Sequence, residues 1–127
     1  MKIDEIISSC EEVLDLNLYE APSDFDSFES EFKLEMKADS GLNSIVGWFD
    51  ANMTEDTWFS TSPSEGDTHW HQTVFPVIGA PNLKIGDLIS GKIRVRPIHD
   101  DHRGLHVTLN VAYGVDIEDC TLQYFIR

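Results

Sequence analysis

The sequence predicts an all-β protein, a mainly antiparallel barrel or sandwich with one short N-terminal helix. Glu31 to Lys37 alternates strictly, with Phe32, Leu34 and Met36 on one side and Glu31, Lys33, Glu35 and Lys37 on the other. That period of two is what a half-buried antiparallel strand requires. Beyond it, short apolar and aromatic runs are separated by turn residues about every ten positions, the pattern of a sandwich or barrel. Helical spacing occurs only near the start, where Ile3, Ile6, Ile7 and Cys10 recur around Asp4, Glu5 and Ser8.

Taken in order, the amphipathic helix over Ile3 to Cys10 is followed by a strand at Val13–Leu18, which Pro22 ends. After Glu31–Lys37, the turn Asp39-Ser40-Gly41 leads into a strand at Ser44–Asn52, and Thr57–Ser60 follows. Further strands are expected at Trp70–Val77, Leu88–Arg96, Leu105–Val111 and Thr121–Ile126. Their separators are Pro63-Ser64-Glu65-Gly66, Gly79-Ala80-Pro81-Asn82, Lys84-Ile85-Gly86-Asp87 and the polar loop from His99 to Gly104. No repeat, low-complexity tract or linker divides the chain, so residues 1–127 are expected to form a single domain.

The charge is distributed unevenly. Of the net −14, all falls in residues 1–67, where 17 Asp/Glu face only Lys2, Lys33 and Lys37; residues 68–127 balance 6 against 6. Nucleic acid is therefore not an expected partner, because phosphate contacts need clustered Lys/Arg. A basic protein would be steered toward such a chain, although acidity also serves solubility alone. No run approaches the roughly 20 apolar residues of a membrane helix, and no basic-then-apolar signal opens the chain, so no membrane partner and an intracellular location, cytoplasmic or nuclear, are expected. Cys10 and Cys120 give neither a disulfide framework nor a zinc spacing and are expected to be reduced thiols.

Residues of chemical interest concentrate in Phe59-Ser60-Thr61-Ser62-Pro63 and Thr68-His69-Trp70-His71-Gln72-Thr73-Val74-Phe75. His69 and His71, if both lay in a strand, would share a face and could hold a metal in the manner of a small cupin-like enzyme. Residues 73–78 supply no glutamate to complete such a set, and no metal site is assigned. Ser60, Thr61 and Ser62 beside His69 lack a G-x-S-x-G elbow and are read as turn-formers. The cluster His99, Asp100, Asp101, His102 and Arg103 is read as a solvated loop. The glycines never fall in G-x-G, so no phosphate or dinucleotide cradle is expected and no cofactor-binding residue is assigned.

Three of these segments together, Val46-Gly47-Trp48-Phe49-Asp50, Phe59 to Pro63 and Thr68 to Phe75, resemble successive motifs of the C-terminal barrel of the protein arginine methyltransferases. The resemblance continues through Gly86-Asp87-Leu88-Ile89-Ser90-Gly91-Lys92-Ile93 and residues 101–109, and Thr-His-Trp preceded by Ser-Thr-Ser-Pro is its most specific part. It implies the substrate-side module of an enzyme that transfers methyl from S-adenosylmethionine to protein arginine. It also implies that the cofactor site and the arginine-gripping glutamates belong to a cofactor-binding Rossmann-like domain. This domain and the family's dimerisation arm are not recognisable in these residues, so the chain alone is expected to bind no cofactor and to be non-catalytic. By the same resemblance Thr68 and Trp70 line the substrate side of the active site, with an aromatic face suited to a planar cation. The resemblance also implies that His69 pairs with an acidic group of the other domain and helps dispose of a proton. The expected partners are that cofactor-binding domain, in the same or another chain, and basic Arg-rich protein substrates. His71 stands where the family often has lysine. The alternative is a stand-alone acidic β-barrel module that binds basic, Arg-rich proteins or regulates a methyltransferase.

Overall fold

The computed structural model describes residues 2–23, 25–66, 68–113 and 120–126, and for His102 the backbone only. Among these the regular elements are one 3₁₀ turn, Ile3–Glu5, and the strands β1 (Phe28–Glu35), β2 (Ser40–Gly41), β3 (Ser44–Gly47), β4 (Asp50–Thr54), β5 (Thr57–Ser60), β6 (Thr73–Pro76), β7 (Asn82–Leu83), β8 (Leu88–Ile98), β9 (Asp101–Tyr113) and β10 (Cys120–Ile126). The chain forms two compact units, one of Met1–Ile7 with Ser40–Asn82, the other of Ser8–Asp39 with Leu83–Arg127. No helix among the described residues is long and apolar enough to cross a membrane.

The second unit is an antiparallel sheet in the order β1-β8-β9-β10. Alternation decides its two faces. Phe32, Ile89, Val95, Val107, Leu109, Val111 and Leu122 are buried, while Lys92, Arg94, Arg96, Asn110 and Gln123, of the opposite parity, project from the other side. On that polar face Glu29 lies opposite Arg94, and its carboxylate accepts from Arg94 Nε at 2.6 Å and from Lys92 Nζ at 3.0 Å. Those bonds, Lys92 first and Arg94 second, hold the Glu29 carboxyl below its ordinary pKa. On the buried side Gly91 is required by close approach. A Cβ there would stand 2.5 Å from the Asn110 carbonyl and 2.7 Å from the Phe32 ring.

The first unit is built from two shorter antiparallel ladders, β3 with β6 and β4 with β5. Leu42, Phe75 and Val77 are its buried apolar side chains, and Thr61 is buried with them.

Several expectations shift at element boundaries. The N-terminal helix contracts to Ile3–Glu5. At Ser8 the chain makes an isolated antiparallel bridge to Met36, and Ser9 N–H donates to the Glu35 carbonyl. Val13–Leu18 forms no strand. Just before it, the outward N–H groups of Lys33 and Glu35 are taken by the side chains of Glu11 and Ser9 instead of by a backbone ladder. Near its end, Asn17 starts a turn, its carbonyl accepting from Glu20 and Ala21. The expected strand Ser44–Asn52 breaks at Trp48–Phe49, where the chain changes partner from β6 to β5. The expected loop from His99 to Gly104 shrinks to His99–Asp100, because β8 and β9 continue pairing to Ile98 and Asp101 across a bulge.

Candidate functional site

Thr68, His69 and Trp70 lie in the connection between β5 and β6, within the first unit. The expected strand Trp70–Val77 starts only at Thr73, so His69 and His71 are both in the loop, and the alternation that would set them on one face does not apply. Both are exposed. Among the described residues no three His, Cys, Asp or Glu side chains converge as metal ligands would.

The loop is held from two sides. Its first part is a Ser/Pro turn in which Ser62 N–H donates to Ser60 Oγ at 3.0 Å and Glu65 N–H donates to the Ser62 carbonyl at 3.0 Å. The Ser62 and Ser64 hydroxyls share a bond of 2.9 Å. These hydroxyls are occupied in turn formation, as their sequence context suggests. Thr61, 1 % exposed, ties the loop to the break in the strand before it. Its hydroxyl accepts from Phe49 N–H at 3.0 Å and donates to the Phe49 carbonyl at 2.9 Å, which also receives Thr61 N–H. The Gln72 side-chain amide donates to the Thr61 carbonyl, and the Thr68 hydroxyl donates to the Trp70 carbonyl at 2.6 Å. A short polar loop is thereby fixed at its start, middle and end.

Those bonds present an aromatic surface. Trp70 stacks on Phe59 with ring centroids 5.1 Å apart and planes 18° from parallel. Phe49 meets both rings edge-on, at 5.9 Å from Phe59 and 6.3 Å from Trp70. His69 stands edge-on to Trp70 at 5.8 Å. Each of these separations is in the range where aromatic pairs attract. Trp70 is nevertheless 52 % exposed, so one of its faces is ordered by neighbours while much of the ring is open to a ligand. Phe49, Phe59, Thr61 and Gln72 were not singled out as site residues by sequence reasoning. Phe49 and Phe59 fall within the recognisable segments, but nothing in linear spacing reveals that they meet beneath Trp70.

With this geometry in place, comparison with known proteins decides the lineage. Residues 1–116 match the family model described as the arginine methyltransferase oligomerization subdomain. The chain belongs to the protein arginine methyltransferase family. Within that family it is 29% identical over 115 residues to protein arginine N-methyltransferase 8-B of Danio rerio, covering 88% of this chain and 27% of that protein. It is 31% identical over 111 residues to protein arginine N-methyltransferase 1 of Caenorhabditis elegans, covering 85% of this chain and 31% of that protein. Among solved arginine methyltransferases, the Trypanosoma brucei PRMT1 enzyme–prozyme heterotetrameric complex with AdoHcy superposes with a TM-score of 0.91 at 21% identity, over all of this chain and 42% of that one. Arabidopsis thaliana protein arginine methyltransferase 10 gives 0.89 at 23%, over all of this chain and 41% of that one. The fold is thus that of the arginine methyltransferase C-terminal barrel domain, and the chain spans between about a quarter and a third of the length of these two curated relatives.

Proposed function

We propose that this chain is the substrate-side module of a protein arginine methyltransferase, acting inside the cell and completed by a cofactor-binding domain of the same or another chain. The observation that carries the reading is the ordered but open indole of Trp70, held against Phe59 and Phe49 with the exposed His69 beside it. In this reading Trp70 and Thr68 form a wall of the pocket that receives a guanidinium, whose flat cation suits an aromatic face. His69 pairs with a carboxylate of the cofactor-binding domain and takes up the proton that the guanidinium nitrogen loses.

In this reading the methyl donor is held by the cofactor-binding domain, while this chain orients substrate and takes up the proton.

The test is methyl incorporation into a Gly/Arg-rich peptide by the complete enzyme. Trp70→Ala is expected to lower kcat/KM by about tenfold or more through lost positioning. Unchanged turnover and substrate affinity would remove the role of Trp70. Titration of this chain alone with S-adenosylmethionine is expected to show no binding, and a micromolar affinity would contradict the division of labour.

A further inference from the structure

The β4–β5 hairpin has a second face that the Thr68–Trp70 loop does not use. Its register sets Asp50 opposite Ser60, Ala51 opposite Phe59 and Asn52 opposite Trp58. Side chains alternate across a ladder, so Phe59 and Ala51 point one way, and Asp50, Asn52 and Trp58 point the other. Phe59 is the ring beneath Trp70. Trp58 is 58 % exposed, and Asp50 and Asn52 are exposed with it. Among the described residues, the Asp50 carboxylate has no hydrogen bond or ion pair and the Trp58 indole stacks on no other ring. Asp50 is the diagonal neighbour of Trp58, within reach of a long side chain lying on the indole.

We infer that Asp50, Asn52 and Trp58 form a second cation subsite, which takes a lysine or arginine side chain of a basic polypeptide at a position other than the residue that is methylated. This rests on the reading proposed above and deepens it. Charge complementarity selects the occupant: residues 38–83 contain no lysine or arginine, yet carry Asp39, Asp50, Glu55, Asp56, Glu65 and Asp67. A purely apolar partner covering Trp58 would strip water from Asp50 without compensation, whereas a guanidinium or ammonium satisfies the carboxylate and the indole face together. Asn52 adds a carbonyl acceptor to the same face. Because Phe59 and Trp58 are adjacent in β5, one strand carries both the support of the Trp70 wall and the subsite.

The experiment is calorimetric titration of the full chain, at low salt, with a synthetic Gly/Arg-rich peptide and with the same peptide carrying citrulline for arginine. The arginine peptide is expected to bind and the citrulline peptide to lose most of its affinity. Trp58→Ala and Asp50→Asn are each expected to weaken binding about two- to fivefold, as an exposed cation–π contact or ion pair would, with Trp58→Phe keeping most of it. No binding of the arginine peptide, or equal affinity for Trp58→Ala and the unaltered chain, overturns the subsite. In the complete enzyme Trp58→Ala is expected to raise KM for the peptide without changing kcat. That result separates the two ideas, because failure of the Trp70 role is read from Trp70→Ala alone.

Discussion

The two units of this chain differ in burial in a way their composition does not announce. The Ser8–Asp39 and Leu83–Arg127 unit is a sheet of long strands, in which Ile89, Val107, Leu109 and Val111 are almost wholly removed from water. The unit containing Ser40–Asn82 has shorter ladders and leaves Phe49, Trp58 and Trp70 each more than two-fifths exposed. The first arrangement maximises buried apolar area per strand. The second keeps large rings at the surface and holds them by loop hydrogen bonds and ring contacts. Exposed aromatics mark a surface that a ligand or partner can cover, so on the function proposed above recognition falls to this unit, while the sheet holds most of the deeply buried apolar side chains.

The comparison is broken most severely in the sheet. Leu109, 1 % exposed, is expected to destabilise the chain by about 2–5 kcal/mol when changed to alanine, measured by denaturant unfolding. A change under about 1 kcal/mol would show that the sheet does not carry the stability. Gly91→Ala should follow at about 1–3 kcal/mol, because the new methyl meets the Asn110 carbonyl and the Phe32 ring; a neutral outcome would mean that the strands separate freely there.

Thr61→Val sharpens the other side. It keeps the shape but leaves the Phe49 N–H without its hydroxyl acceptor, at about 1–3 kcal/mol. The same change should loosen Phe49 and hence Trp70, visible as a shifted indole signal in NMR. An unmoved Trp70 signal would separate the aromatic surface from its hydrogen-bonded support. The smallest effect is expected from Glu29, which lies on the solvent face of the sheet. Its pKa is depressed from an ordinary 4.5, so its contribution is present above that value and is lost as pH falls through the depressed one. Glu29→Gln should therefore flatten the acid side of a Tm-against-pH curve below about pH 4.5 and leave neutral pH nearly unaffected. A parallel downward shift at every pH would instead assign Glu29 a packing role.

Much of the strand inventory was legible because alternation is local. Phe32, Leu34 and Met36 declare a face without reference to any partner, and the long hairpin β8–β9 is visible as two alternating runs separated by polar residues. The same local rule misled at Val13–Leu18, where the leucines alternate but Glu11 and Ser9 side chains occupy the neighbouring strand edge and Asn17 turns the chain away. It misled again at Trp70–Gln72, expected as the start of a strand, because hydrogen bonds from Thr68 and Gln72 keep the segment in a loop until Thr73.

By itself, then, the sequence determined the all-β class, the faces of the longer strands, the one-sided acidity and the Thr-His-Trp segment that carries the family resemblance. Each of these depends on spacing or composition along the chain. Tertiary structure alone decided that Thr61 binds Phe49 across 12 positions, that Phe59 lies flat beneath Trp70, and that Trp58 shares a face with Asp50. These depend on which strands pair and in what register, and register is set by contacts between residues that no local pattern connects.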